Sequence, residues 1–589
     1  MVKVLINDWP FSMGATALLR MDTEKQITYK ANLLDIPTEW IESLPERLFD
    51  YLINTYSMGN KREEQLKRAL QKLSFNMEEA EAKKKEGYKF HSDIIKSTVK
   101  DGLERVAKYF PDYQDEVTEL LLNINTAIKE MTLEKLNLYI SKAIELLKQR
   151  EIDQKLTLNV VKATLLANSG GQVSFLNVTK NTLSYKEQIA LFRKDFIEPV
   201  VFELKMQECI QNQDEEQAWK LVQESECDLA VEWKKKNKKA TKMDFSYFYT
   251  LPNCSGIEGQ WGTLAYEEMM FMPLASNSAN DFYDGQRKNA PVISKLARVL
   301  LFLSPLGCVS YKKMIGREEQ FVYGFLHIEG DCMETKRRND AFMQSLSKDK
   351  LFGNALISSH EKIAQVENER KSITVLIEWI TYSQAKKTLL EYRVVNDAFI
   401  TALVEHPKQF NLNKVFPVSF REQLVHQSLR NGDTKALIFE ELRNKITENS
   451  GYYNGIKMAL NLRELISNGG NIVDQKTLTD RMYGRGQSIN KYFTQKKSEG
   501  DDYRAPNEKK LATISYRLLN AAKGGNRQVF FDTVLRLHLS ASKPISKEFT
   551  SLLDHKAVTD HEFATMSLAF IAGLMSQYEV KEKTEEVKS

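Results

Sequence analysis

The sequence predicts an α+β protein: a mixed N-terminal and central region with a small sheet and many helices, followed by an all-α C-terminal helical bundle. Three observations carry this. The first segment alternates, with Val2, Val4 and Ile6 on one side, the pattern of a half-buried strand. Three later segments, FVYGFLHIEG (321–330), SITVLIEWITY (372–382) and TLLEYRVVN (388–396), are rich in β-branched and aromatic residues with turn-like joints, so a sheet is expected in the middle third. Beyond residue 457 the apolar residues recur at helical spacing.

In chain order, the first strand breaks at NDWPFSMG and the apolar ATALLRM reads as a short helix. KQITYKANLL supplies a partner strand, and TEWIESLPERLFDYLINTY reads as helix. From about residue 60 to 150 the pattern is helical, with Leu136, Ile140, Ala143, Ile144 and Leu147 on one face. In LANSGGQVSFLNV, Gly170 and Gly171 suggest a turn into a strand, and SYKEQIALFRKDFIEPVVFELKMQECI returns to helix. DFYDGQRKNAPVISKLARVLLFLSPLGCVSY joins a polar, basic loop to a long apolar helix ending at Pro305 and Gly307. The polar, glycine-bearing stretch 447–457 reads as a linker between a large mixed domain (1–446) and a helical bundle (458–580). The tail, 581–589, is charged and expected to be disordered.

Within the bundle, KKLATISYRLLNAAKGGNRQVFFDTVLRLHLS reads as a helical hairpin broken at Gly524-Gly525. Leu511, Ile514, Leu518 and Leu519 face the core there, while Arg517, Lys523 and Arg527 point outward. FATMSLAFIAGLMSQY adds an apolar helix.

A chain of 589 residues, 42% hydrophobic and 28% charged, exceeds a single core and implies two or more domains. No run of about 18 uncharged apolar residues is present, and the N-terminus lacks the features of a signal peptide; an intracellular, cytoplasmic protein is expected. With 83 basic against 79 acidic residues the net charge is only +4, so any nucleic-acid site must show as local clustering. The five cysteines (209, 227, 254, 308 and 332) contain no CxxC pair, which argues against a disulfide framework or a cysteine zinc site.

Catalytic patterns are absent from the sequence. There is no GxxxxGK[ST], no GxGxxG after a strand, no HExxH and no GxSxG. Asp554, His555, Asp560, His561 and Glu562 read as the acidic start of a helix rather than a metal site. No catalytic residue, cofactor or metal ligand is assigned, and the chain is expected not to be an enzyme.

Two basic clusters remain. Lys234, Lys235, Lys236, Lys238, Lys239 and Lys242 are followed by Phe245, Tyr247, Phe248 and Tyr249; lysines pair with phosphates and aromatics stack on bases. A solvated loop ahead of a core strand is the plainer reading. In the loop NDFYDGQRKN, Gln286, Arg287, Lys288 and Asn289 are donors to phosphates or base edges, and Gly285 allows close backbone approach.

Three stretches in register resemble the large subunit of type I-B CRISPR effector complexes, the Cas-eight-b family: the opening NDWPFSMGATALLRM, the apolar helix ending LSPLGCVSY, and ISYRLLNAAKGGNRQVFFDTVLRLHL near the C-terminus. The family's paired CxxC motifs are degenerate here, with a lone Cys254 in NCSGI and no second pair at NAPVIS. The region of about 245–311 is therefore expected to be a zinc-ribbon-like remnant without zinc, held by packing of Val292, Ile293, Leu296, Val299, Leu300 and Leu303. The resemblance implies a non-catalytic subunit of a crRNA-guided surveillance complex (Cascade) in antiviral defence. It would recognise the protospacer-adjacent motif in double-stranded target DNA, help open the duplex, stabilise the R-loop and help recruit the helicase-nuclease (Cas three). Its partners would be crRNA and the backbone, handle-binding and small subunits, with no membrane. It also directs attention to Lys234, Lys235, Lys236, Lys238, Lys239 and Gln286 to Asn289 as nucleic-acid contacts, to Arg517, Lys523, Arg527 and Arg536 as a track for the displaced strand, and to Met458 as an internal start for a separate small subunit. A cryptic nuclease and a protein-binding helical scaffold are the rival classes.

Overall fold

The computed structural model describes residues 1–6, 8–77, 81–164, 166, 174–254, 257, 259–265, 292–315, 318–349, 374–381, 388–406, 410, 414–448, 453–471, 476–494 and 508–576. The fold is α+β and helix-rich, with small antiparallel sheets in the first two thirds and helices throughout the C-terminal region. No helix among the described residues is long and apolar enough to cross a membrane. The chain divides into two compact units, Met1–Lys336 with Glu378–Leu390, and Arg337–Ile377 with Glu391–Ser589.

The first unit opens with β1 (Val2–Leu5), β2 (Thr28–Lys30) and β3 (Leu33–Ile36), in the order β1-β3-β2, all antiparallel. Val2, Val4 and Ile6 are buried, as their alternation requires. Helix α1 (Trp9–Met21) starts earlier than expected, inside the apparent break, because Pro10 falls in the first turn where its missing N–H removes no helical bond. After α2 (Thr38–Glu42) and α3 (Leu44–Tyr56), helices α4 (Met58–Met77), α5 (Glu81–Tyr109), α6 (Gln114–Lys129), α7 (Leu133–Lys148) and α8 (Arg150–Thr164) pack around Leu66, Leu103, Ile124, Leu136, Ile140 and Leu147. The strand expected after Gly170-Gly171 does not form among the described residues. Residues Ser174–Leu176 and Val178–Thr182 are short 3-10 turns, and adjacent Phe175 and Leu176 are both buried, which a strand with alternating faces does not permit.

Helix α9 (Tyr185–Phe192), closed by a Ser184/Glu187 capping box, runs through a π-helical turn at Arg193–Ile197 into α10 (Glu198–Asn212). Helices α11 (Glu215–Glu224), α12 (Asp228–Lys236) and α13 (Ser246–Tyr249) follow. Strands β4 (Leu264–Ala265) and β5 (Val292–Ile293) then pair antiparallel ahead of α14 (Lys295–Gly307). Every residue of α14 except Arg298 is buried. It lies against α1 backbone to backbone: a Cβ on Gly14 would overlap the Leu300 carbonyl, and one on Gly307 the Met13 carbonyl. Arg20 of α1 closes the far end by donating to the carbonyls of Leu306 (2.6 Å) and Cys308 (3.3 Å). The expected middle strands are present: β6 (Val309–Ile315), β7 (Glu318–Ile328), β8 (Thr374–Thr381) and β9 (Thr388–Val394) form a sheet in that order, and α15 (Cys332–Asp349) follows β7.

The second unit contains α16 (Asp397–Glu405), α17 (Val418–Leu429), α18 (Lys435–Glu448), α19 (Asn454–Ser467), α20 (Leu478–Thr494), α21 (Glu508–Lys523), α22 (Arg527–Ser540), α23 (Lys547–Thr550) and α24 (Asp560–Met575). The stretch 447–457 does not divide the chain as a linker. Both α18 and α19 belong to this unit, and Tyr453 is buried with its hydroxyl donating to the Lys445 carbonyl at 3.1 Å. The tail 581–589 lies outside the described residues. Helix α24 is the hub, buried continuously from Phe563 to Met575. Its crossing with α20 also depends on glycine: a Cβ on Gly486 would overlap the Phe570 carbonyl, and one on Gly573 the Tyr483 carbonyl. The acidic cluster at 560–562 is the start of this helix, with Thr559 and Glu562 forming a capping box.

Candidate nucleic-acid interface

The lysine cluster begins on the last turn of α12, where cations complement the C-terminal carbonyls. The apolar side of this corner, made by Trp233, Met243, Phe245 and Phe248 with Met206, Ala218 and Val222, is a core. The Trp233 indole N–H donates to the Asp244 carbonyl at 3.1 Å, tying α12 to the residues just ahead of α13. The segment after the lysines is a helical turn and not the expected strand; just ahead of it, Asp244 accepts from the Ser246 backbone N–H (2.9 Å) and hydroxyl (2.7 Å), an Asx-type turn leading into α13.

The lysines take different roles. Lys234 donates to the carbonyls of Gln223 (2.9 Å) and Ser225 (3.1 Å), closing the end of α11, so its charge serves the fold. Lys236 holds its ammonium 4.4 Å from the centre of the Tyr247 ring. The Tyr247 hydroxyl donates to Glu232 at 2.8 Å, and burial together with that carboxylate pushes the phenol up to about 12. Lys235, Lys236, Lys238, Lys239 and Lys242 are exposed. Between Glu232 and Tyr249 six lysines face two acids, and both acids are engaged by the hydrogen bonds just described.

A second feature lies beside this core. β4 and β5 pair Leu264 with Ile293 and Ala265 with Val292, so the chain leaves toward 266 and returns at 292 from a common base. Glu203 of α10 locks it: Oε1 accepts the Thr263 hydroxyl at 2.6 Å and Oε2 the Lys295 backbone N–H at 3.2 Å. Burial pushes this carboxyl up to about 7, partly offset by those two donors and the Lys295 charge. Cys254 accepts the Ser294 N–H through Sγ at 3.1 Å, and Ser294 in turn caps α14 by accepting from Ala297 N–H at 3.0 Å. Ile293, Leu296, Val299, Leu300 and Leu303 are buried and Val292 is half-buried, in keeping with a region held by packing. Among the described residues no group of three or more histidines, cysteines or acids could hold a metal ion. Gln286, Arg287, Lys288 and Asn289 lie outside the described residues.

In the second unit α21 and α22 form the expected hairpin, turning at Gly525 with φ of +68°. Arg517, Lys523 and Arg536 are exposed, with Lys523 lying 4.9 Å from the centre of the Phe439 ring. Arg527 does not point outward as expected. It is 5% exposed, donates to the carbonyls of Leu552 (3.0 Å) and Val558 (2.8 Å), and pairs with Asp560 at 2.6 Å. The first turn of α22 faces the loop that leads into α24, and the long arginine side chain ties the two together. Met458 is buried in α19, the packing of a core methionine.

Sequence reasoning misses Glu203 and does not single out Tyr249 from the aromatic run. Glu203 lies on the buried stripe Val200–Glu203–Met206 of α10, and an acid on an apolar stripe is the signal that marks it. Tyr249 shares its sequence context with three neighbouring aromatics, from which only burial separates it: it is 64% exposed.

No protein-family model matches the chain. No curated protein matches it either.

Proposed function

We propose that this chain is a non-catalytic nucleic-acid-binding protein, the large subunit of a crRNA-guided type I-B surveillance complex that helps recognise a short motif in duplex DNA, open the duplex and hold the R-loop. The observation that carries the reading is the lysine row at the α12–α13 corner. Its exposed ammonium groups are carried on a backbone packed over a buried aromatic core, and the acids of the segment are engaged by hydrogen bonds, so the cluster presents concentrated positive charge to phosphates. The three-part sequence resemblance supplies the class of complex, and the buried helix ending LSPLG accords with it. On this reading the chain works in the cytoplasm with crRNA and its backbone, handle-binding and small subunits, and helps recruit the helicase-nuclease. Met458 as an internal start belongs to the same proposal, and mass spectrometry of the assembled complex tests it by seeking a polypeptide that begins there.

The test of nucleic-acid binding is its salt dependence. Replacing Lys235, Lys238, Lys239 and Lys242 by glutamine should weaken duplex binding and flatten the plot of log affinity against log salt by roughly 0.9 for each phosphate no longer neutralised. An unchanged slope would remove this corner from the interface. A metal-dependent cleavage assay on the purified chain addresses the nuclease alternative, for which this reading expects no product.

A further inference from the structure

The aromatic run beside the lysines is sorted by the fold into three rings that build the corner and one that does not. Phe245 and Phe248 are in the core, where Phe248 packs 5.4 Å from Trp261, and Tyr247 is fixed between Lys236 and Glu232. Tyr249 ends α13 with its ring in solvent, while its own backbone N–H bonds to the Phe245 carbonyl at 3.3 Å. It is thus an apolar face at the end of a one-turn helix, seven residues after Lys242, exposed where the other three rings are buried.

We infer that Tyr249 is a stacking platform for an unpaired base, and that the α12–α13 corner grips single-stranded nucleic acid, with Lys235, Lys238, Lys239 and Lys242 on the phosphates and Tyr249 on a base. This deepens the proposed function and rests on its nucleic-acid reading. The chemistry distinguishes strand state: bases of a duplex show their faces to one another, whereas an unpaired base offers a free π-face to any ring held in place. The backbone that carries the ring is anchored through buried Phe245, Tyr247 and Phe248, which lowers the ordering cost relative to an aromatic on a free loop. The Tyr249 hydroxyl is not needed for stacking, so phenylalanine should serve equally.

Fluorescence anisotropy of the full-length chain with three probes tests this: a 15-nucleotide oligothymidylate, an abasic strand of equal length, and a 15-base-pair duplex. Tyr249→Ala should weaken oligothymidylate binding roughly 5- to 100-fold. Tyr249→Phe should restore it, and neither variant should alter affinity for the abasic strand or the duplex. The lysine-to-glutamine variant should weaken all three probes. Loss with the lysine variant but not with Tyr249→Ala overturns the stacking role while leaving the proposed function intact. An equal loss for abasic and oligothymidylate strands on Tyr249→Ala overturns it as well, since the ring would then act on something other than a base. If neither variant changes any affinity, the nucleic-acid reading of this corner fails together with the inference.

Discussion

The carboxylate of Glu203 accepts the backbone N–H of Lys295 at 3.2 Å, and with its other oxygen on Thr263 it fastens both limbs of the β4–β5 base to α10. A single buried acid therefore ties Thr263, just ahead of β4, to Lys295, just after β5.

Burial raises this carboxyl from 4.5 to about 7. Between those values the folded chain holds a proton that the unfolded chain has released, so the stability linked to Glu203 is full below the ordinary carboxylate range and is lost as pH rises through about 7. Glu203→Gln removes the titration while keeping the shape. Its melting temperature should rise relative to the parent on going from pH 5 to pH 8, by the equivalent of at most about 3 kcal/mol. Melting curves whose difference is the same at both pH values would count against this role.

Arg463, 4% exposed in α19, should be among the costliest residues to remove from the second unit. Its guanidinium forks onto Asp433 at 2.6 and 3.0 Å, donates to the His561 carbonyl at 2.9 Å and reaches Thr565. That pairing holds the Asp433 carboxyl down at about 2. Arg463→Ala strands a buried carbonyl and the Asp433 charge, with an expected loss of about 2–4 kcal/mol; Asp433 is half exposed and is partly rehydrated. Urea denaturation reads the change, and Arg463→Lys should recover only a minor part because it cannot make the fork.

Two glycines of one helix should respond oppositely. Gly484 of α20 has open space where a side chain would go, so Gly484→Ala should add about 0.5–1 kcal/mol through helix propensity. Gly486 abuts the backbone of α24, so Gly486→Ala must separate the helices and should cost about 1–3 kcal/mol. Parallel thermal melts of the two variants settle the contrast.

Arg527 and its outward-facing neighbours should separate fold from binding. Arg527→Ala should lower the melting temperature, because it releases the Leu552 and Val558 carbonyls and Asp560. Replacing Arg517, Lys523 and Arg536 together by glutamine should leave melting nearly unchanged, as exposed charges do, and weaken strand binding by the assembled complex if they line its path. Unaltered binding would clear that face of the hairpin of any role.

Periodicity makes much of the fold legible. The strand of Val2, Val4 and Ile6, the α7 face through Leu136 and Leu147, the middle strands and the Gly525 hairpin all follow from local pattern. The misreadings share a cause. Tyr453 and the polar residues near it resemble a linker because a break between two helices of one unit has the same composition as a break between domains. Arg527 resembles a surface residue because nothing in its own helix reveals the carbonyls of Leu552 and Val558 that it meets from 25 and 31 residues away. The lysine row is visible as charge, but its sorting into Lys234, which closes a helix, and Lys235, Lys238, Lys239 and Lys242, which face solvent, needs the folded corner.

Binding of target duplex by the guide-loaded complex is the most direct test of the proposed function. The chain should co-purify with crRNA and its partner subunits when they are expressed together, and a mobility-shift titration should show tight binding of a duplex that carries both the guide-complementary sequence and its adjacent motif. Glutamine at Lys235, Lys238, Lys239 and Lys242 should weaken that binding at least tenfold at physiological salt, with assembly intact. A chain that joins no RNA-containing complex, or a complex whose target affinity ignores those four lysines, would contradict it.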